Sequence, residues 1–109
     1  MSDAETVPVR DISRDQLFAG LRALRPHFER AGVTHMALFG SRARGDNRPD
    51  SDVDLIVEVA SNQKFSLLDL IGVGHIVEDN FGLRGDVYMR RSLAPFLAEE
   101  ERRDGVCLF

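Results

Sequence analysis

The chain is almost without cysteine: Cys107 stands alone, so no internal disulfide is available. That fits a reducing compartment, and a cytoplasmic location is the expectation. An excess of basic residues is missing too. The 14 Lys and Arg against 18 Asp and Glu leave a net charge of −4, and no basic stripe is present. Both facts argue against nucleic acid as a direct substrate. Any phosphate this chain binds has to be met locally, by backbone amides, a few arginines or metal ions. Long apolar runs are lacking: none approaches the ~20 residues of a membrane-spanning helix, so no membrane partner is expected. Residues 1–12 are mixed and polar, without the apolar centre of a signal peptide. Histidine is sparse, and His27, His35 and His75 show no ligand spacing. No repeat, long linker or low-complexity tract divides the rest. A length of 109 residues suits one domain spanning 1–109, with 1–12 as a poorly ordered or extended N-terminal segment.

Local signals then order the chain. Ser13 followed by Gln16 reads as a capping box, and Leu17, Leu21, Leu24 and Phe28 recur at helical spacing. Pro26 predicts a kink or break near Arg25, and Gly32 a C-terminal stop. Thr34 to Phe39 reads as a buried strand, Gly40 to Arg44 as a turn into a brief helix, and Gly45 to Ser51 as a loop. Asp52 to Val59 alternates: Val53, Leu55, Val57 and Val59 share one face, and Asp52, Asp54, Ile56 and Glu58 the other. Ser66 opens a helix that stops near Gly82, and Leu83 to Met89 is a third strand with Asp86 and Tyr88 on one face. Ser92 opens a last helix through about Arg103, and Val106 to Phe109 adds a short edge strand. The run Glu99 to Asp104 reads as a solvated helix end. Exposed apolar positions on that helix leave a homodimer or a partner surface open. The alternation predicts an α/β domain: a small mixed β-sheet, helices packed mainly on one face, acids on the other.

The acids raise the chemical question. A strand sends residues i and i+2 to one face, so Asp52, Asp54 and, from the next strand, Asp86 crowd together. Two carboxylates ~4 Å apart repel by about 4 kcal/mol at an effective dielectric of ~20. A divalent cation turns that repulsion into attraction. Magnesium takes oxygen ligands, a few carboxylates plus substrate phosphates, and a pair of such ions clamps both oxygens of an in-line phosphoryl displacement. Upstream, Gly40 lets backbone approach a phosphate, and Ser41 offers a hydroxyl at a helix start. Arg42 and Arg44 supply charge suited to phosphate geometry. Taken singly each piece reads plainly as a solvated strand face, a loop turn or surface charge. Their conjunction is what points to a site.

Gly40-Ser41, then Gly45, then Ser51-Asp52-Val53-Asp54-Leu55 resembles the signature of the DNA polymerase beta-like nucleotidyltransferase superfamily. With Ser66-Leu67-Leu68-Asp69-Leu70 and Gly85-Asp86-Val87 it is similar to the minimal nucleotidyltransferase (MNT) branch, over about residues 33 to 100. The resemblance implies that Asp52, Asp54 and Asp86 are catalytic and hold two Mg2+ ions. Asp86 would also help activate the acceptor hydroxyl. Gly40, Ser41, Arg42 and Arg44 would bind the triphosphate of ATP. It implies AMP transfer to a hydroxyl, with pyrophosphate leaving. Its partner would be a HEPN-domain toxin, AMPylated on a tyrosine and neutralised, which makes this chain an antitoxin. A non-catalytic antitoxin that neutralises by complex formation is the alternative reading. A transferase acting on a small hydroxyl compound is a further one.

Overall fold

The computed structural model of the chain describes residues 12–62 and 64–109. The expectation for the N-terminal segment therefore falls, up to residue 11, outside the described residues. Helix α1, Arg14–Ala23, starts where the capping box puts it. The Gln16 amide donates to Ser13 Oγ and the Ser13 amide to Gln16 Oε1, both at 3.1 Å. The break at Pro26 is real: Leu24 ends α1, and α2, Arg25–Arg30, begins at once with the proline in its first turn. There its missing N–H costs nothing. Strand β1, Val33–Phe39, leads through Gly40 into the one-turn helix α3, Ser41–Arg44. Strand β2, Val53–Val59, is followed by α4, Leu67–Phe81, whose capping box joins Ser66 to Asp69. Strand β3 is Gly85–Met89, and β4 is the short edge Val106–Cys107.

The last helix departs from expectation. Ser92 ends a 3-10 turn, Arg90–Ser92, and α5 runs Pro95–Asp104 with Ala94 as its N-cap. A residue before proline is pushed out of the helical region, and Ala94 is extended at φ −64, ψ 144. A helix begun at Ser92 could not pass through it.

The sheet order is β3-β2-β1-β4. Strands β1 and β2 pair antiparallel, as do β1 and β4, while β2 and β3 pair parallel through the α4 crossover. One face packs on α1, α2 and α4. Met36, Leu38, Val53, Leu55 and Val57 meet Leu17, Leu21, Phe28, Val73 and Val77 in a single buried cluster. Helix α4 approaches β3 closely because both sides are glycine. A Cβ on Gly74 would stand 2.9 Å from the Gly85 carbonyl oxygen, and one on Gly85 would stand 3.0 Å from Val77 Cβ.

The opposite face is divided rather than uniformly wet. Ala37, Phe39 and Ile56 are buried on it, although Ile56 alternates with the acids. The reason lies in α5 and its anchors. Arg90 bridges Glu58 at 2.8 Å and Glu101 at 2.6 Å, and Arg44 reaches Asp104 at 3.2 Å. Glu101 and Asp104 are thus cross-chain ties, not the solvated helix end their sequence suggests. Among the described residues no helix is long and apolar enough to cross a membrane.

Candidate active site

The three acids gather where β1 finishes and where β2 and β3 begin. Asp54 is in register with Phe39 across β1 and with Asp86 across β3. Asp52 precedes β2 by one residue and falls on the Asp54 side by the two-residue period. All three are partly buried. For Asp52 and Asp54 that partial burial is visible in their acidity. Burial, then the charges of Asp86, Asp52 and Glu100, push the Asp54 carboxyl up to about 6, against a weaker opposing pull from Arg44. Asp52 is also raised, by burial first, then by its hydrogen bond to Asp86 and that residue's charge.

Gly40 closes the site from above. Its φ of 80 and ψ of −160 lie where only glycine is comfortable. A Cβ there would meet Asp54 Oδ2 at 2.5 Å. The glycine thus lets the β1–α3 turn lie flush against the central carboxylate. Ser41, half-buried, opens α3 beside it, and Gly45 ends that helix in the left-handed conformation, φ 87.

The arginines are placed differently from one another. Arg44 is exposed and pairs with Asp46 at 3.1 Å as well as with Asp104. Arg42 points inward, with 2% of its surface exposed. It donates to the carbonyls of Ser51, Pro49 and Arg48 at 3.0, 3.0 and 3.3 Å. Two further charged neighbours stand beside the acids. Arg84 holds Asp86 at 3.1 Å with its own side chain 75% exposed, so the pair is weak and readily exchanged. The period of two that linked Asp86 to Tyr88 also links it to Arg84, and could have found it. Glu100, from α5, adds negative charge beside Asp54 and Tyr88; only tertiary structure brings it there. Tyr88 both packs and lines the face. Its ring meets Phe39 edge-on at 5.7 Å, and burial followed by the Asp54 charge raises its hydroxyl's pKa.

Alongside, Leu67, Leu70, Ile71 and His75 of α4 form with Arg84 and Asp86 an open groove of about 410 Å³. The carboxylates suit a hard dication in charge and in atom type. Among the described residues no three His, Cys, Asp or Glu side chains are already drawn into an ion-holding cluster. One of Asp86's oxygens is turned to Arg84 instead.

Known proteins resemble most of this chain. The family model for the nucleotidyltransferase domain matches residues 21–106. The chain is 38% identical over 78 residues to the protein adenylyltransferase MntA of Thermococcus cleftensis, which covers 72% of this chain and 77% of that one. Among solved structures, a proposed minimal nucleotidyltransferase superposes with a TM-score of 0.72 at 34% identity, covering 87% of this chain and 95% of the other. A toxin-antitoxin structure with AMP-PNP gives a TM-score of 0.67 at 19% identity, covering 81% and 72%. A tri-AMPylated HEPN toxin of Shewanella oneidensis in complex with an MNT antitoxin gives 0.61 at 16%, covering 86% and 71%. At such identities the last two bear on the fold alone.

Proposed function

The chain belongs to the nucleotidyltransferase domain family, and from that premise we propose that it moves AMP from ATP to a tyrosine hydroxyl of a partner HEPN toxin in the cytoplasm, silencing it as an antitoxin. The observation that carries this reading is the gathering of Asp52, Asp54 and Asp86 at one sheet end, directly under the Gly40–Ser41 turn. The name of a relative at 38% identity, a protein adenylyltransferase, supports a protein acceptor.

The chemistry follows from the layout. Gly40 and Ser41 seat the triphosphate tail, while Arg44 stands at the rim. The acceptor oxygen attacks the α-phosphorus, the bond to the β-phosphate oxygen breaks, and pyrophosphate departs. Asp86 takes the hydroxyl proton after exchanging Arg84 for the acceptor. Mg2+ held by Asp52, Asp54 and Asp86 would supply, when bound, the positive charge that draws in the triphosphate and steadies the leaving group. Asp52 and Asp54, raised by burial and by their neighbouring carboxylates, suit such a cation.

The test is intact mass. Incubation with ATP, Mg2+ and the folded HEPN protein is expected to add one or more AMP groups to the toxin, and none when Mg2+ is chelated. A toxin mass that stays unchanged with either Mg2+ or Mn2+ would overturn the catalytic reading. Neutralisation that persists without any transfer would establish the antitoxin as a binder. The exposed Leu67, Leu68 and Ile71 at the start of α4 favour that second reading.

A further inference from the structure

We propose that Arg42 is a positioning residue that fixes Asp52, rather than a ligand of the nucleotide phosphates; this rests on the proposed transferase reading of the acid cluster. Residues 45–51 form no regular structure and most are exposed. The loop is nevertheless the connection from α3 to Asp52, which directly precedes β2. Within it the Ser51 amide donates to the Arg48 carbonyl at 3.0 Å, the Arg48 amide to Ser51 Oγ at 2.8 Å, and the Asn47 side chain to the Arg48 carbonyl at 3.1 Å.

Arg42 binds this loop from inside. One guanidinium gathers the carbonyls of Arg48, Pro49 and Ser51. The last of these belongs to the residue immediately before Asp52. The planar fork, with five N–H donors, is suited to several acceptors at once, where an ammonium would act as a point charge. At 2% exposure the group is withdrawn from solvent. To grip a phosphate it would have to give up the part-buried carbonyls of Pro49 and Ser51, at a cost in lost hydrogen bonds. Arg42 also follows Ser41 directly, so the helix turn that starts the phosphate seat carries the clamp on the loop. Gly40, Ser41 and Asp52 thereby move as one unit. A displacement of about 1 Å at such a site can cost ~100-fold in rate.

The experiment compares Arg42→Lys with the wild type, both with the HEPN partner. The expected result is a fall in kcat of ~10- to 100-fold, with KM for ATP within about two-fold and a higher half-saturating Mg2+ concentration. Amide hydrogen exchange at residues 48–52 should quicken while β1 and α4 keep their protection. A raised KM for ATP, or weakened inhibition by pyrophosphate, at unchanged kcat would make Arg42 a phosphate ligand and overturn the proposal. So would unchanged kcat and unchanged exchange. A wild-type measurement covers the case in which the variant does not fold. The Arg42 Nε–H is expected to stay protected in the NMR spectrum when ATP and Mg2+ are added, and loss of protection would contradict the clamp. If the wild type transfers no AMP, the functional reading fails by itself, while hydrogen exchange still decides whether Arg42 holds the loop.

Discussion

Replacing Asp52 and Asp54 together with Asn is expected to abolish the proposed AMP transfer and to make the metal-free protein more stable at neutral pH. The loss of activity is expected to exceed ~1,000-fold, since preorganised electrostatic stabilisation is commonly the largest contribution to such catalysis. The gain in stability follows from linkage. Asp54 has an ordinary value of 3.8 and is pushed up to about 6 in the folded chain. The folded state therefore holds that proton more tightly than the unfolded state. Its contribution to stability is complete below the unfolded value and is lost as pH rises through about 6. Above that pH the wild type carries an ionised, half-buried carboxylate beside Asp86 and Asp52. The shift corresponds to about 3 kcal/mol, which solvent screening at a partly exposed site reduces to ~1–2 kcal/mol. Urea denaturation in the presence of EDTA should show the Asn variant ahead at pH 7.5 and level with wild type near pH 4. A variant markedly weaker at pH 7.5 would make these carboxylates structural.

Gly40→Ala is expected to cost nearly as much activity by a different route. The residue sits at φ 80, ψ −160, and a single added methyl would collide with Asp54 Oδ2. Backbone strain of that kind costs about 1–3 kcal/mol, which lowers the melting temperature. The collision then forces either the turn or the carboxylate aside, and the rate should fall ~100-fold or more. Gly82→Ala provides the contrast. Gly82 also has positive φ, 67, but nothing stands within 4 Å of a Cβ there. It should lose some stability and retain its rate. Equal losses of rate in the two variants would mean that the proximity of Gly40 to Asp54 has no functional weight.

How legible all this was in the chain depends on the range of each interaction. The capping boxes at Ser13 and Ser66 and the break at Pro26 are decided within a few residues, and the sequence displays them. The facing of Asp54 and Asp86 needs only the strand period and the assumption that the two strands are neighbours. The start of α5 is not where the local pattern puts it, because Ser92 is a good cap in isolation while Pro95 acts on Ala94 and moves the start. The burial of Ile56 and the ties of Arg90 to Glu58 and Asp104 to Arg44 depend on segments distant in sequence. Arg44 and Asp104 lie 60 positions apart, and no local pattern announces such a pairing. Arg42 is the sharpest instance. A polar stretch rich in arginine reads as solvent-facing, and only the path of the loop over α3 turns this one inward.

The central claim is that Asp52, Asp54 and Asp86 are assembled to hold cations that carry a triphosphate. The most direct measurement is the melting temperature of the wild type in millimolar Mg2+ with a non-hydrolysable ATP analogue, beside the Asp52→Asn, Asp54→Asn variant. Binding confined to the folded state must raise it by mass action. The prediction is a saturable rise of several degrees in the wild type, larger with metal and nucleotide together than with either alone, and no rise in the variant. A wild type indifferent to both, or a variant that rises equally, would contradict the claim.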